Sequence, residues 1–260
     1  MKNLLIVYKN ELLQNKKLII SFGFIIIFLT ISQLSAFPIV ADIANKNIDF
    51  IPSELLELRG VESLTEFNDY NVYFRSTYQI MLIPISILAI ITGGSLIFKD
   101  EKQNLIEYKM MMPVSRNIYF LSKFLVGITT MIIVLGLVYI SGIVTSYFVT
   151  DSFNLNVYNQ IFSYGLIPVM FYFTMSFLIA GSSSKINPAA IGSGIILIGY
   201  VIGYTANIIG SDYKWIKNVV PLELFVNGTP SNALIMIYLG ISVMFFGSGL
   251  VLYKNRDLSA

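Results

Sequence analysis

Chemistry in this chain has to be done by few residue types. Its 260 residues include no cysteine and no histidine. That removes disulfide frameworks, Cys/His zinc sites, thiolate haem ligation and histidine-activated nucleophiles. Seven acids lie between Ala41 and Ser76 (Asp42, Asp49, Glu54, Glu57, Glu62, Glu66 and Asp69). Acids can hold a hard cation, but nothing here resembles the spacing of a calcium loop. Gly181-Ser182-Ser183-Ser184-Lys185 has the wrong length for a phosphate-binding loop, and GxSxG is absent. ATP hydrolysis by the usual route is therefore not expected of this chain.

The segment with a surface suited to a partner is Lys99–Arg116, KDEKQNLIEYKMMMPVSR. It mixes charges with an apolar stripe of Leu105, Ile106 and Met110. A helix over Asp100–Met112 is expected, stopped by Pro113. Glu101 would stand in its first turn, where the helix dipole favours a carboxylate. Glu107, Met110 and Met111 would lie closer to a partner, the methionines forming the adaptable, polarizable patch common at binding surfaces. Arg116 would anchor the exit of the loop to phosphate headgroups or to the partner.

The elements that must position this loop follow from composition. The chain is 55% hydrophobic and 12% charged, against roughly 25% charged in a soluble domain, and its mean hydropathy is +0.73. Six apolar runs occupy residues 18–40, 77–98, 120–149, 158–181, 188–209 and 233–253. Each reaches the roughly 20 residues that cross a bilayer as a helix, and lipid leaves the backbone no other choice. The expected fold is an all-α integral membrane protein with a single transmembrane domain over 1–260. The first run is too long for the core of a signal peptide. With the N-terminus inside, the cytoplasmic segments carry 12 of the 17 basic and 5 of the 15 acidic residues. The positive-inside rule thus puts both termini in the cytoplasm and the 41–76 loop outside. Residues 1–17, with Leu4, Leu5, Tyr8 and Leu12 at helical spacing, read as an amphipathic helix in the interface. Gly210–Asn232 reads as a semi-polar outer segment with Tyr213 and Trp215 at the membrane surface.

The centres of the six runs hold no Lys, Arg, Asp or Glu, which argues against a proton relay or a voltage sensor. Gly199 and Gly203 form a GxxxG pair, with Gly192 seven residues earlier. Such a face serves close helix packing within the chain or a dimer seam.

The sequence from Glu101 and Glu107 through Met112-Pro113-Val114-Ser115-Arg116 to Lys123 resembles the cytoplasmic signature of ABC-2 type transporter permeases. Asn104-Leu105 stands where that family usually has Gly-Thr. The ending Tyr253-Lys254-Asn255-Arg256-Asp257-Leu258 and the Pro221-Leu222-Glu223-Leu224-Phe225 stretch before the last run resemble it too. The resemblance implies a half-transporter paired with a second copy or a related permease. It implies docking of separate cytoplasmic ATPase subunits on the 99–116 loop, those partners holding ATP and magnesium while this chain carries no cofactor. Export is the usual direction, from the plasma membrane of a bacterium or archaeon. The aromatic- and Met-rich spans fit an amphipathic or hydrophobic cargo such as a peptide, drug or lipid-like molecule. The alternatives are a sensor or immunity subunit attached to such a complex and, further off, an ion-coupled carrier. Membrane lipid is an expected partner; nucleic acid is not.

Overall fold

Apolar runs of this length satisfy their backbone groups in lipid only as helices. In the computed structural model every regular element among the described residues is helical. The described residues are 2–46, 63–103, 114–209, 219–225 and 230–256, with 56, 61, 105, 215 and 216 as isolated positions. In chain order the helices are α1 (Lys2–Gln14), α2 (Lys16–Ser35), α3 (Phe37–Asn45), α4 (Tyr70–Lys102), α5 (Arg116–Val149), α6 (Leu155–Ser182), α7 (Pro188–Ile209) and α8 (Asn232–Asn255). Short 3-10 turns occupy Leu64–Asn68 and Pro221–Phe225.

Five stretches are long and apolar enough to cross a membrane: Lys16–Asn45, which joins α2 to α3, then α4, α5, α6 and α8. The remaining run is α7, whose apolar stretch Pro188–Gly203 is shorter. Polar caps start most of the long helices. The side chains of Asp69, Ser115, Asn154 and Ser231 accept backbone N–H bonds from Asn71, Ile118, Asn156 and Leu234. Each cap satisfies a donor that the first turn cannot pair.

Several bounds differ from the hydropathy reading. The first run breaks at Ala36, and Pro38 lies in the first turn of a second helix that continues to Asn45. The expected outer loop is shortened at both ends, by α3 and by α4 beginning at Tyr70. At its other end α4 runs on to Lys102, so Asp100 and Glu101 are in its last turn and not in the first turn of a new helix. Of the expected docking helix, residue 104 and residues 106–113 lie outside the described residues, as does most of the expected helix start at Ser53–Leu58. On α1 the buried positions are Val7 and Glu11, while Leu5 is exposed.

The helix α4 is the centre of the bundle. It packs along α6, and also meets α2, α5 and α7, while α6 carries α8 on its other side and α5 carries α1 and α2. Close approach depends on glycine. A Cβ on Gly181 of α6 would lie 2.3 Å from the carbonyl oxygen of Gly249 in α8. One on Gly142 of α5 would lie 2.2 Å from the hydroxyl of Tyr158. At the end of the bundle that holds Tyr70, aromatic rings fill the space between helices. Phe74 stacks on Tyr158 at 4.4 Å, and Phe37 meets Tyr70 edge-on at 4.9 Å. Two tyrosine hydroxyls at this end are bonded, Tyr70 with Ser146 Oγ at 2.5 Å and Tyr73, which packs on Phe37, to the Gln33 carbonyl at 2.5 Å.

Gly181→Ala is expected to cost about 1–3 kcal/mol, the range for overpacking a tight contact, because the opposing atom is backbone and cannot swing away. Gly240→Ala, where a Cβ meets nothing within 4 Å, is expected to leave stability unchanged or raise it. Thermal unfolding of the two variants in detergent measures the difference.

Candidate functional site

The end of the bundle opposite Tyr70 holds buried charge. Lys123, two turns into α5, is 1% exposed. Its Nζ donates to Glu11 Oε2 of α1 at 2.5 Å and to Asp100 Oδ2 of α4 at 2.5 Å. Both acids are buried. The Tyr119 hydroxyl, one turn before Lys123, donates to the same Asp100 oxygen, and the ammonium lies 5.3 Å from the centre of the Tyr119 ring. Three helices, α1, α4 and α5, are therefore joined at one nitrogen. A second bond pins α1 to α5, between the hydroxyls of Tyr8 and Thr129 at 2.9 Å.

A neighbouring cluster ties in the C-terminal end. Arg256, just past α8, donates to Glu101 Oε1 and to the Ala180 carbonyl of α6, the latter at 2.8 Å. Arg116, at the start of α5, donates to the carbonyls of Arg256 and Lys254 at 2.7 and 3.2 Å. Tyr253 sits between the clusters. It stacks on Tyr119 at 6.2 Å, and the Arg256 guanidinium lies 5.4 Å from its ring centre. The segment 103–115 is thus bracketed. Asp100 and Glu101 lead into it, Arg116, Tyr119 and Lys123 lead out, and all five are bonded to each other, to α1 or to the end of α8.

Against the expectations, Glu101 stands at the C-terminal end of α4, where the helix dipole disfavours a carboxylate. Lys99 and Lys102 in that turn and the bond to Arg256 offset this. Arg116 donates through one nitrogen, Nη1, to carbonyls of its own chain. Glu107, Met110, Met111 and Pro113 lie outside the described residues. Gly192 and Gly203 face their own chain, for added Cβ atoms there would meet Ile90 at 2.6 Å and Glu223 at 2.5 Å. At Gly199 the nearest atoms are 3.7 Å away, on Val220. Glu11, Asp100 and Tyr119 were not singled out by sequence reasoning as site residues, and Lys123 and Arg256 were noted only as parts of a signature. One signal was available: Lys123 stands inside the 120–149 apolar run, and a charge there needs a buried partner. Among the described residues no group of three or more acids is arranged to hold a metal ion.

Residues 70–254 match the profile of the ABC-2 family transporter proteins. That stretch includes the whole bracketed segment and every member of the two clusters except Glu11 and Arg256. No curated protein matches the chain.

Removing one member of a buried ion cluster strands the others, at about 3–5 kcal/mol, whereas replacing all of it with apolar or neutral groups of similar size is close to neutral. Lys123→Met is therefore expected to destabilise strongly. The triple change Glu11→Gln, Asp100→Asn, Lys123→Met is expected to recover most of the loss. Unfolding midpoints in detergent for the single and triple variants check this.

Proposed function

We propose that this chain, which belongs to the ABC-2 family of transporter proteins, is the membrane-spanning subunit of an ATP-driven exporter. The family supplies membrane domains that do not themselves hydrolyse ATP. ATP and magnesium would bind in separate cytoplasmic ATPase subunits, and two permease chains, alike or related, would pair to form the pathway. In this reading α2–α3, α4, α5, α6, α7 and α8 are six spans with both termini in the cytoplasm, and α1 lies in the inner interface. The cargo class is an amphipathic or hydrophobic molecule, in keeping with spans rich in aromatic side chains and methionine.

The observation that carries the reading is the bracketing of segment 103–115. A loop pushed by a nucleotide-driven partner transmits force only if its ends are fixed to the elements that must move. Here one end is tied to α1 and α5 through Asp100, and to α6 and α8 through Glu101 and Arg256. The buried lysine does not favour an ion-coupled carrier. The 34 residues of α5 extend about 51 Å against about 30 Å of hydrocarbon. Lys123 lies about 10 Å from the helix start, near the hydrocarbon boundary rather than the midplane where coupling ions bind.

Two experiments test the reading. In this cysteine-free chain, Glu57→Cys is expected to react with an impermeant maleimide in intact cells and Gln103→Cys is not; the reverse pattern overturns the topology. The double change Glu107→Ala with Met110→Ala is expected to weaken co-purification of the ATPase by about thirtyfold, the scale of a lost interface anchor. Its membrane insertion should be normal. Undiminished ATPase binding and ATP-dependent transport in vesicles would remove the docking role from this segment.

A further inference from the structure

A partly open cleft of about 310 Å³ lies beside the ion cluster, between α1, α4 and α5. That volume is at the lower end of the range for small-molecule sites, about 300–1,000 Å³. Its two ends differ in character. The deep end is lined by Ile91, Thr92 and Thr130. Both threonine hydroxyls are spent on their own helices, Thr92 on the Leu88 and Ala89 carbonyls and Thr130 on the Val126 carbonyl. This end therefore offers a ligand no free donor of its own and suits hydrocarbon. Thr92 precedes Asp100 by eight residues along α4, so the cleft runs about 12 Å along the helices to the charged end.

Four charged side chains line the cleft: Glu11, Lys99, Asp100 and Lys123. Three of them are bonded to one another. Lys99 is exposed and makes no hydrogen bond or ion pair among the described residues. It stands in the last turn of α4, at the level where Gln14 and Gln103 also line the opening. An ammonium that no described residue engages at the mouth, a hydrocarbon-like interior and a length of several methylenes describe an amphiphile with an anionic head.

We propose that this cleft binds a phospholipid of the cytoplasmic leaflet, its phosphate at Lys99 and an acyl chain reaching past Ser95 to Thr92 and Thr130. The site rests on the orientation argued above, which puts Lys99 at the inner surface, where anionic lipids are enriched. It does not depend on what the transporter exports.

The test is native mass spectrometry of the purified full chain, equilibrated with phosphatidylglycerol in mild detergent, with unfolding midpoints to verify that each variant is folded. Lys99→Gln is expected to lower the retained lipid about fivefold, the weight of one lysine against an anionic headgroup. Ser95→Phe, which fills the cleft, is expected to abolish retention. Lys102→Gln, an exposed lysine outside the cleft, is expected to leave it intact, and inorganic phosphate is not expected to displace the lipid. Full retention by Lys99→Gln overturns the headgroup contact, and full retention by Ser95→Phe overturns the acyl-chain path. An equal loss in Lys102→Gln reduces the effect to surface charge, and displacement by inorganic phosphate makes this a free-anion site; either result overturns the proposal. Reversed maleimide labelling would sink the orientation without changing the lipid retained, so the two failures are distinguishable.

Discussion

A lysine cannot be taken out of water without partners, and most of this chain's architecture at one end follows from that requirement. Leaving the ammonium of Lys123 alone in an apolar interior would cost many kcal/mol. Two carboxylates and a tyrosine ring meet it, and they come from three different helices. An apolar replacement would serve stability as well, since buried ion pairs rarely add net stability. What the charge adds is position. Glu11 and Asp100 both bond Lys123, so sliding α1 along α5, or turning α4 about its axis, breaks a directed bond. A hydrophobic contact tolerates such sliding because it has no direction.

The rest of the bundle uses contact rather than charge. In lipid, burying apolar side chains gives no advantage over leaving them against hydrocarbon chains, so helices associate through close packing and hydrogen bonds. The tight crossing of Gly181 on Gly249, and Gly142 under the Tyr158 hydroxyl, are the places where backbones come near enough for this. The aromatic rings between α4, α5 and α6 do the complementary work of filling volume, with hydroxyls of Tyr70 and Tyr73 bonded to Ser146 and Gln33. Close packing thus runs through the whole bundle, and directional charge is added to it at one end.

Much of the fold was legible because hydropathy registers membrane thickness. The core of each long helix appears as an apolar run, but its ends do not. The 33 residues of α4 extend about 50 Å, well beyond about 30 Å of hydrocarbon, and the polar turns outside the bilayer carry no apolar signal. That is why Tyr70–Ser76 read as loop and Asp100–Lys102 read as the start of a new helix. The error at Glu101 came from the same source: an acid near a charged boundary was assigned to a helix beginning when it closes a helix end. The ion cluster was less legible still. Glu11 and Lys123 are 112 positions apart, and no local period can pair them. Arg116 was noticed through its motif, but the acceptors it uses are main-chain carbonyls of residues 254 and 256, which leave no trace in side-chain identity.

Ser176 of α6 adds a mechanical consequence. Its hydroxyl donates to the Ile90 carbonyl at 2.7 Å and accepts from the Gly94 amide at 2.6 Å. In an uninterrupted helix those two α4 groups would bond to each other. A neighbouring hydroxyl at such a place is one of the recognised causes of a helix bend, and here it ties both α4 groups to α6. The central helix is in this respect held at one height by the adjacent helix. Tilting the part of α4 that follows Gly94 relative to the part before Ile90 would draw on hydrogen bonds shared with α6, so the two helices are coupled at that height.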